Sequence, residues 1–156
     1  IISMKKVLLI YSTNSGSTFV AGEIIKEILA KDFDVKMQNV VESKPGDIKN
    51  YSTVILGSPS WLSRGSEGMP TEEMLKLLDA WKKENFSDKN FSIYGCGDDG
   101  FIHFCGAVGY MEDFVKSVGG KFTQPSLRLN SFWFELDKNV ALTKKWATEL
   151  RKKLTV

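Results

Sequence analysis

Two cysteines, one histidine and a net charge of only +2 limit what this 156-residue chain can be. Cys96 and Cys105 stand nine positions apart, in no C-x-x-C pair and beside no histidine cluster, so the pattern offers no zinc site and buried thiols are the expectation. So slight a charge gives no electrostatic case for nucleic-acid binding. Long apolar runs are missing too. No stretch approaches the roughly 20 residues that a membrane helix needs, and no basic region followed by a long apolar block opens the chain, so a cytoplasmic protein away from membranes is expected. Internal repeats, low-complexity tracts and long linkers are also absent. Met4 before Lys5 and Lys6 reads as a natural start, which sets Ile1, Ile2 and Ser3 aside as an expression remnant and leaves residues 4–156 as one compact domain.

What is present alternates between two periods. KKVLLIY (5–11), TVILGS (53–58) and FSIYGCG (91–97) are short β-favouring runs with turn residues after them, the pattern of parallel strands buried on both faces. FDVKMQNV (33–40) alternates and KFTQPSLRL (121–129) contains Pro125, so both read as edge strands. Between them lie helical stripes: Val20, Ile24 and Ile28; Met74, Leu77, Leu78 and Trp81; Met111, Phe114, Val115 and Val118; Ala147, Leu150 and Leu154. Pro70 falls where a first-turn proline belongs and Gly119-Gly120 where a helix stops. The economical fold is α/β, a five-stranded doubly wound parallel sheet, because right-handed crossovers cover both of its faces.

Ligands of such sheets bind beyond the carboxyl ends of the strands, which directs attention to loops 12–18, 58–68 and 96–105. The first, STNSGST, runs from a strand into a helix, whose opening amides lack carbonyl partners and point with the positive dipole end into the loop. Thr13, Ser15, Ser17 and Thr18 add hydroxyls, Asn14 adds an amide, and Gly16 lets the backbone approach a ligand. The loop lacks lysine and arginine, and it also lacks the GK[ST] of a magnesium-nucleotide loop. Taken alone, Ser15 or Ser17 reads equally well as a helix cap. In the second loop Trp61 belongs to no periodic stripe, and in the third Phe101, His103 and Phe104 stand beside a glycine-rich turn. An anion site at one end and aromatic walls at the other describe flavin mononucleotide (FMN).

Thr13 to Thr18, Trp61 and above all GCGDDGFIHFCGAV (95–108) resemble flavodoxin, in register from about Lys5 to the C-terminal helix. Without the insertion that splits the last strand of longer members, the chain is similar to the short-chain type. The resemblance implies the strand order 2-1-3-4-5 and one-electron transfer by bound FMN between redox partner proteins, with no substrate turned over. It implies a monomer. It places the phosphate on Thr13, Asn14, Ser15, Gly16, Ser17 and Thr18. Pro59, Ser60, Trp61 and Leu62 match the loop over one face and edge of the ring, with Trp61 stacking. Cys96, Gly97, Asp98, Phe101, His103, Phe104 and Cys105 match the other loop, and backbone amides near Cys96 and Asp98 would meet the pyrimidine edge. Asp98 reads equally as a turn residue bonding its own backbone.

The chain departs from the family at several points. Phe101 replaces a usual tyrosine and keeps stacking without the hydroxyl, while His103 takes a second aromatic position, as packing beside the ribityl chain. Leu62 replaces a common glycine, which implies a stiffer peptide after Trp61 and one-electron potentials drawn closer together. Leu62, Ser63 and Arg64 replace an acidic stretch. Phe132, Trp133 and Phe134 stand where members carry polar residues, and they read as cover for a core edge in preference to a docking patch. Two other functions stay open at this point. An FMN-dependent quinone or nitro reductase shares the fold but needs a nicotinamide site, and a phosphoacceptor receiver needs an aspartate where this chain has Tyr11 and Ser12.

Overall fold

A computed structural model describes residues 3–156, so Ile1 and Ile2, two of the three residues set aside above, lie outside the described residues. The three central strands β1 (Lys5–Tyr11), β3 (Thr53–Pro59) and β6 (Asn90–Gly97) are buried along nearly their whole length. β2 (Phe33–Asn39) forms one edge, and all the pairings are parallel, in the order β2-β1-β3-β6. The hairpin of β4 (Trp61–Ser63) and β5 (Ser66–Met69) stands outside this sheet. The fifth position is filled in two pieces. β7 (Lys121–Phe122) pairs with Asn90 and Phe91, and β8 (Leu127–Asn130) pairs with Tyr94 to Gly97. Pro125 lies in the gap and has no N–H to give to the ladder, which accounts for the break. Counted by position, the order is the 2-1-3-4-5 that the sequence resemblance implied.

Successive strand side chains alternate between two cores. Leu8, Ile10, Val54, Leu56 and Ile93 face α2 (Glu72–Ala80) and α3 (Gly106–Ser117). Val7, Leu9, Tyr11, Ile55 and Tyr94 face α1 (Ser17–Leu29) and α4 (Leu136–Thr155). Each such Leu or Ile contributes about 1.5–3 kcal/mol by leaving water. Met74, Leu77, Leu78 and Trp81 pack inward from α2 and its cap as their spacing predicted. In α1 the fully buried stripe is Thr18, Ala21, Ile25 and Leu29, one position on from Val20, Ile24 and Ile28, which are only partly buried. The helix packs on the sheet and on α4 together, with small Thr18, Ala21 and Gly22 buried in its first half and Ile25 and Leu29 in its second, while Val20 and Ile28 lie at its flank. Pro70 sits one residue ahead of the cap of α2, Thr71, whose hydroxyl accepts from the Met74 amide at 3.3 Å. Gly119, at φ 80°, closes α3: its amide donates to the Lys116 carbonyl, and that of Gly120 donates to Val115.

Because β1 and β3 send their helices to opposite faces, a crevice opens between their carboxyl ends. The loops there are tied directly to the strand ends: the Ser12 amide donates to Gly57 O, Ser60 to Cys96 O and Ser131 to Gly97 O, each at 2.9 Å.

Candidate FMN site

The first loop is built to leave amides exposed to a ligand. Gly16 takes φ 90°, and its amide donates to Thr13 Oγ1 at 2.9 Å, so Thr13 shapes the turn. The Thr18 hydroxyl donates to Ser12 O, fastening the first turn of α1 to the strand end. The hydroxyl of fully buried Tyr94 donates to Thr18 O at 2.8 Å and fixes the same turn against the sheet. The amides of Ser17, Thr18 and Phe19 open the helix and have no carbonyl one turn upstream. No acidic residue occupies that turn. Its positive end therefore favours an anion.

The segment expected as loop 58–68 is largely the β4–β5 hairpin, turned by Arg64 and Gly65 at φ 51° and 76°. Positive φ at both central residues matches the twist of a two-residue hairpin. Arg64 bridges to Glu72 at 3.0 Å and Asp79 at 2.9 Å, and its hydrogen bond holds the Glu72 carboxyl below the usual range. Ser60 anchors the start of this segment, its Oγ accepting from the Ala107 amide at 3.0 Å. Glu67 grips the third loop: one carboxylate oxygen lies 2.7 Å from His103 Nδ1, and the other accepts from the His103 amide at 3.3 Å. Asp98 makes the local turn that its sequence allowed, accepting from the Gly100 amide at 2.7 Å.

These loops enclose a cavity of about 430 Å³. Asn14, Ser15 and Ser17 line one end, Pro59, Ser60, Trp61 and Leu62 one side, and Cys96, Gly97, Asp98, Phe101 and His103 another. Thr13, Gly16, Thr18, Phe104 and Cys105 are not part of the lining. Thr13 and Thr18 shape the first loop from behind, and Phe104 is partly exposed. The Cys105 thiol is buried near Gly95 O and Leu129 O. Burial pushes both thiols up to about 12, so they are protonated at neutral pH.

Six lining residues went unrecognised in the sequence: Glu67, Gly68, Ser131, Phe132, Trp133 and Phe134. The last four sit on the fifth strand-to-helix connection, which opens at the same sheet edge as the other three, so topology alone marked that segment. The aromatic triplet is divided. Phe132 is buried in the core as cover, whereas Trp133 and Phe134 remain exposed at the cavity.

FMN fits these residues. The volume falls within the roughly 300–1,000 Å³ of small-molecule sites. Unpaired amides and hydroxyls gather at one end, and at the other Trp61 and Phe101 are left 54% and 61% exposed, large aromatic surfaces that their own fold does not cover.

Comparison with known proteins agrees. A protein-family model described as "Flavodoxin" matches residues 9–132. A flavodoxin of Maridesulfovibrio salexigens is 30% identical over 130 residues, covering 81% of this chain and 87% of that protein. The probable flavodoxin 2 of Bacillus subtilis is 31% identical over 134 residues, covering 82% and 83%. Among solved structures, oxidised flavodoxin 2 from Bacillus cereus superposes with a TM-score of 0.84 at 25% identity, over 95% of this chain and 99% of that one. A Fusobacterium nucleatum flavodoxin bound to flavin mononucleotide shares the fold at a TM-score of 0.81 and 23% identity, over 96% and 99%.

Proposed function

The chain belongs to the flavodoxin family, and on that premise we propose that residues 4–156 act as one unit that binds FMN non-covalently and carries electrons singly between redox enzymes, as a cytoplasmic monomer. It is an electron carrier, not an enzyme that converts a substrate. Among the described residues no helix is long and apolar enough to cross a membrane.

The observation that carries this reading is the pairing, in one cavity, of an acid-free helix N-terminus with two uncovered aromatic rings. The phosphate would be held by the opening amides of α1 with the Asn14, Ser15 and Ser17 side chains, all neutral donors. Trp61 and Phe101 would stack on the ring system, and the main chain of Cys96 to Asp98 would meet its polar edge. Bound FMN supplies a ring that takes up and releases electrons one at a time. The protein's part is to exclude water from the ring faces and leave an edge open to a partner. At that edge stands exposed Leu62, in the stretch to Arg64 where family members usually carry acidic residues, and Ile102 on the third loop is exposed as well. Partner proteins would therefore meet this chain through apolar contact more than through opposite charge.

The test is anaerobic reduction of the FMN-loaded protein. With NAD(P)H alone the yellow absorbance should persist, and a flavoprotein reductase added with NAD(P)H should bleach it. Rapid, stoichiometric oxidation of NAD(P)H without a reductase would instead identify a flavin reductase.

A further inference from the structure

Of the features that the flavodoxin reading leaves unexplained, the turn after β8 is the most informative. A Cβ on Gly16 would lie 3.6 Å from Cζ2 of Trp133. That carbon is bonded to the ring atom bearing Nε1, so the nitrogen-bearing edge of the indole is the one turned to the first loop. The indole N–H groups of Trp81 and Trp146 donate to Pro45 O at 2.9 Å and Pro125 O at 2.8 Å. That of Trp133 meets no acceptor among the described residues, and the side chain lines the cavity 47% exposed.

The position is held firmly. Ser131 takes a left-handed φ of 48°, and its carbonyl accepts from the Phe134 and Glu135 amides at 3.0 Å each. Asn139, buried in α4, donates to Asn130 O at 2.8 Å. Phe132 is anchored in the core and meets the indole edge-to-face at 5.1 Å. The aromatic that faces the loop is thus preorganised by the strand and the helix on either side of it.

The cavity lining contains no lysine or arginine, and its carboxylates are those of Glu67 and Asp98. A phosphate here depends on neutral N–H and O–H donors, so one more oriented donor in a partly dry site has a large effect. We propose that Trp133 closes the phosphate end of the cavity and donates its indole N–H to the FMN phosphate. The assignment rests on the FMN reading above.

The test compares FMN with riboflavin, which lacks the phosphate, on apoprotein of wild type and Trp133→Phe by flavin-fluorescence titration. Phenylalanine keeps an aromatic ring and removes the N–H. FMN affinity should fall by about tenfold or more, as for loss of one charge-assisted hydrogen bond, while riboflavin affinity stays unchanged. An unchanged FMN affinity overturns the proposal, and so does an equal loss for both flavins, which would place the indole against the ring system. A second measurement needs no substituted chain. In 15N-labelled wild type, the Trp133 indole resonance should shift on saturation with FMN and stay in place with riboflavin, and equal shifts would again overturn the assignment. If wild type binds neither flavin, the FMN reading itself falls, and this proposal with it. A wild type that prefers FMN beside a variant that keeps the full preference rejects only the role of Trp133.

Discussion

Gly65 and Gly68 offer a matched pair for testing how the cavity is held. Both lie in the β4–β5 hairpin at nearly equal left-handed angles, φ 76° and 77°. Alanine pays about 1–2 kcal/mol for that conformation at either site. Their surroundings differ. A Cβ on Gly65 meets nothing within 4 Å, whereas one on Gly68 would come within 2.6 Å of His103 Cβ and 3.3 Å of its carbonyl oxygen. Carbon atoms in contact sit about 3.5–4.0 Å apart, so the hairpin and the third loop must separate by roughly 1 Å. Neither obstructing atom is the free end of a flexible side chain, and overpacking of this kind costs about 1–3 kcal/mol more. Separation also pulls Glu67 away from His103, and both belong to the lining. Urea unfolding of the apoprotein should show Gly65→Ala destabilised by about 1–2 kcal/mol and Gly68→Ala by about 2–5 kcal/mol. FMN titration should find affinity held within about threefold in Gly65→Ala and lowered about tenfold or more in Gly68→Ala. Equal behaviour of the two variants in both assays would refute the idea that contact between the hairpin and the third loop shapes the site.

Other consequences follow from the buried thiols and the ring walls. Burial raises the thiols of Cys96 and Cys105 from 9.0 to about 12, so the stability they provide is complete below about pH 9 and is lost as pH rises towards 12. At about pH 10.5 each thiol has given up about 2 kcal/mol, and a Cys96→Ala/Cys105→Ala apoprotein should lose about 4 kcal/mol less than wild type between about pH 8 and pH 10.5 in urea unfolding under reducing conditions; equal losses would contradict the assignment. Trp61→Ala should weaken FMN binding by a few kcal/mol and relieve part of the flavin-fluorescence quenching, and wild-type affinity would remove Trp61 from the site. Leu62→Gly should move the two one-electron potentials further apart in a potentiometric titration, because glycine frees the peptide after Trp61, and unchanged potentials would show that this peptide does not move.

The central strands and α2 were legible because each has one unambiguous burial pattern: continuous apolar runs between two helical layers, and one stripe against a single sheet face. The inner face of α1 was not, since Thr18 and Ala21 look less suited to a core than Val20 and Ile24, although the close approach to the sheet requires small residues there. Nothing in SRGS announced a hairpin. Arg64 is an uncommon residue at positive φ, and its bonds to Glu72 and Asp79 depend on α2, which the local sequence cannot show. In the site, glycine, serine and lone aromatics identified three loops. The approach of Trp133 to Gly16 joins residues more than a hundred positions apart, and it follows only once α1 and α4 are packed on the same face of the sheet.

The most direct test of the account is calorimetric titration of the apoprotein with FMN and, separately, with riboflavin. One FMN should bind per chain without added metal, and riboflavin should bind much more weakly because the opening amides of α1 have no anion to hold. Equal affinities, or a stoichiometry other than one, would contradict a site built around a phosphate at residues 13–18.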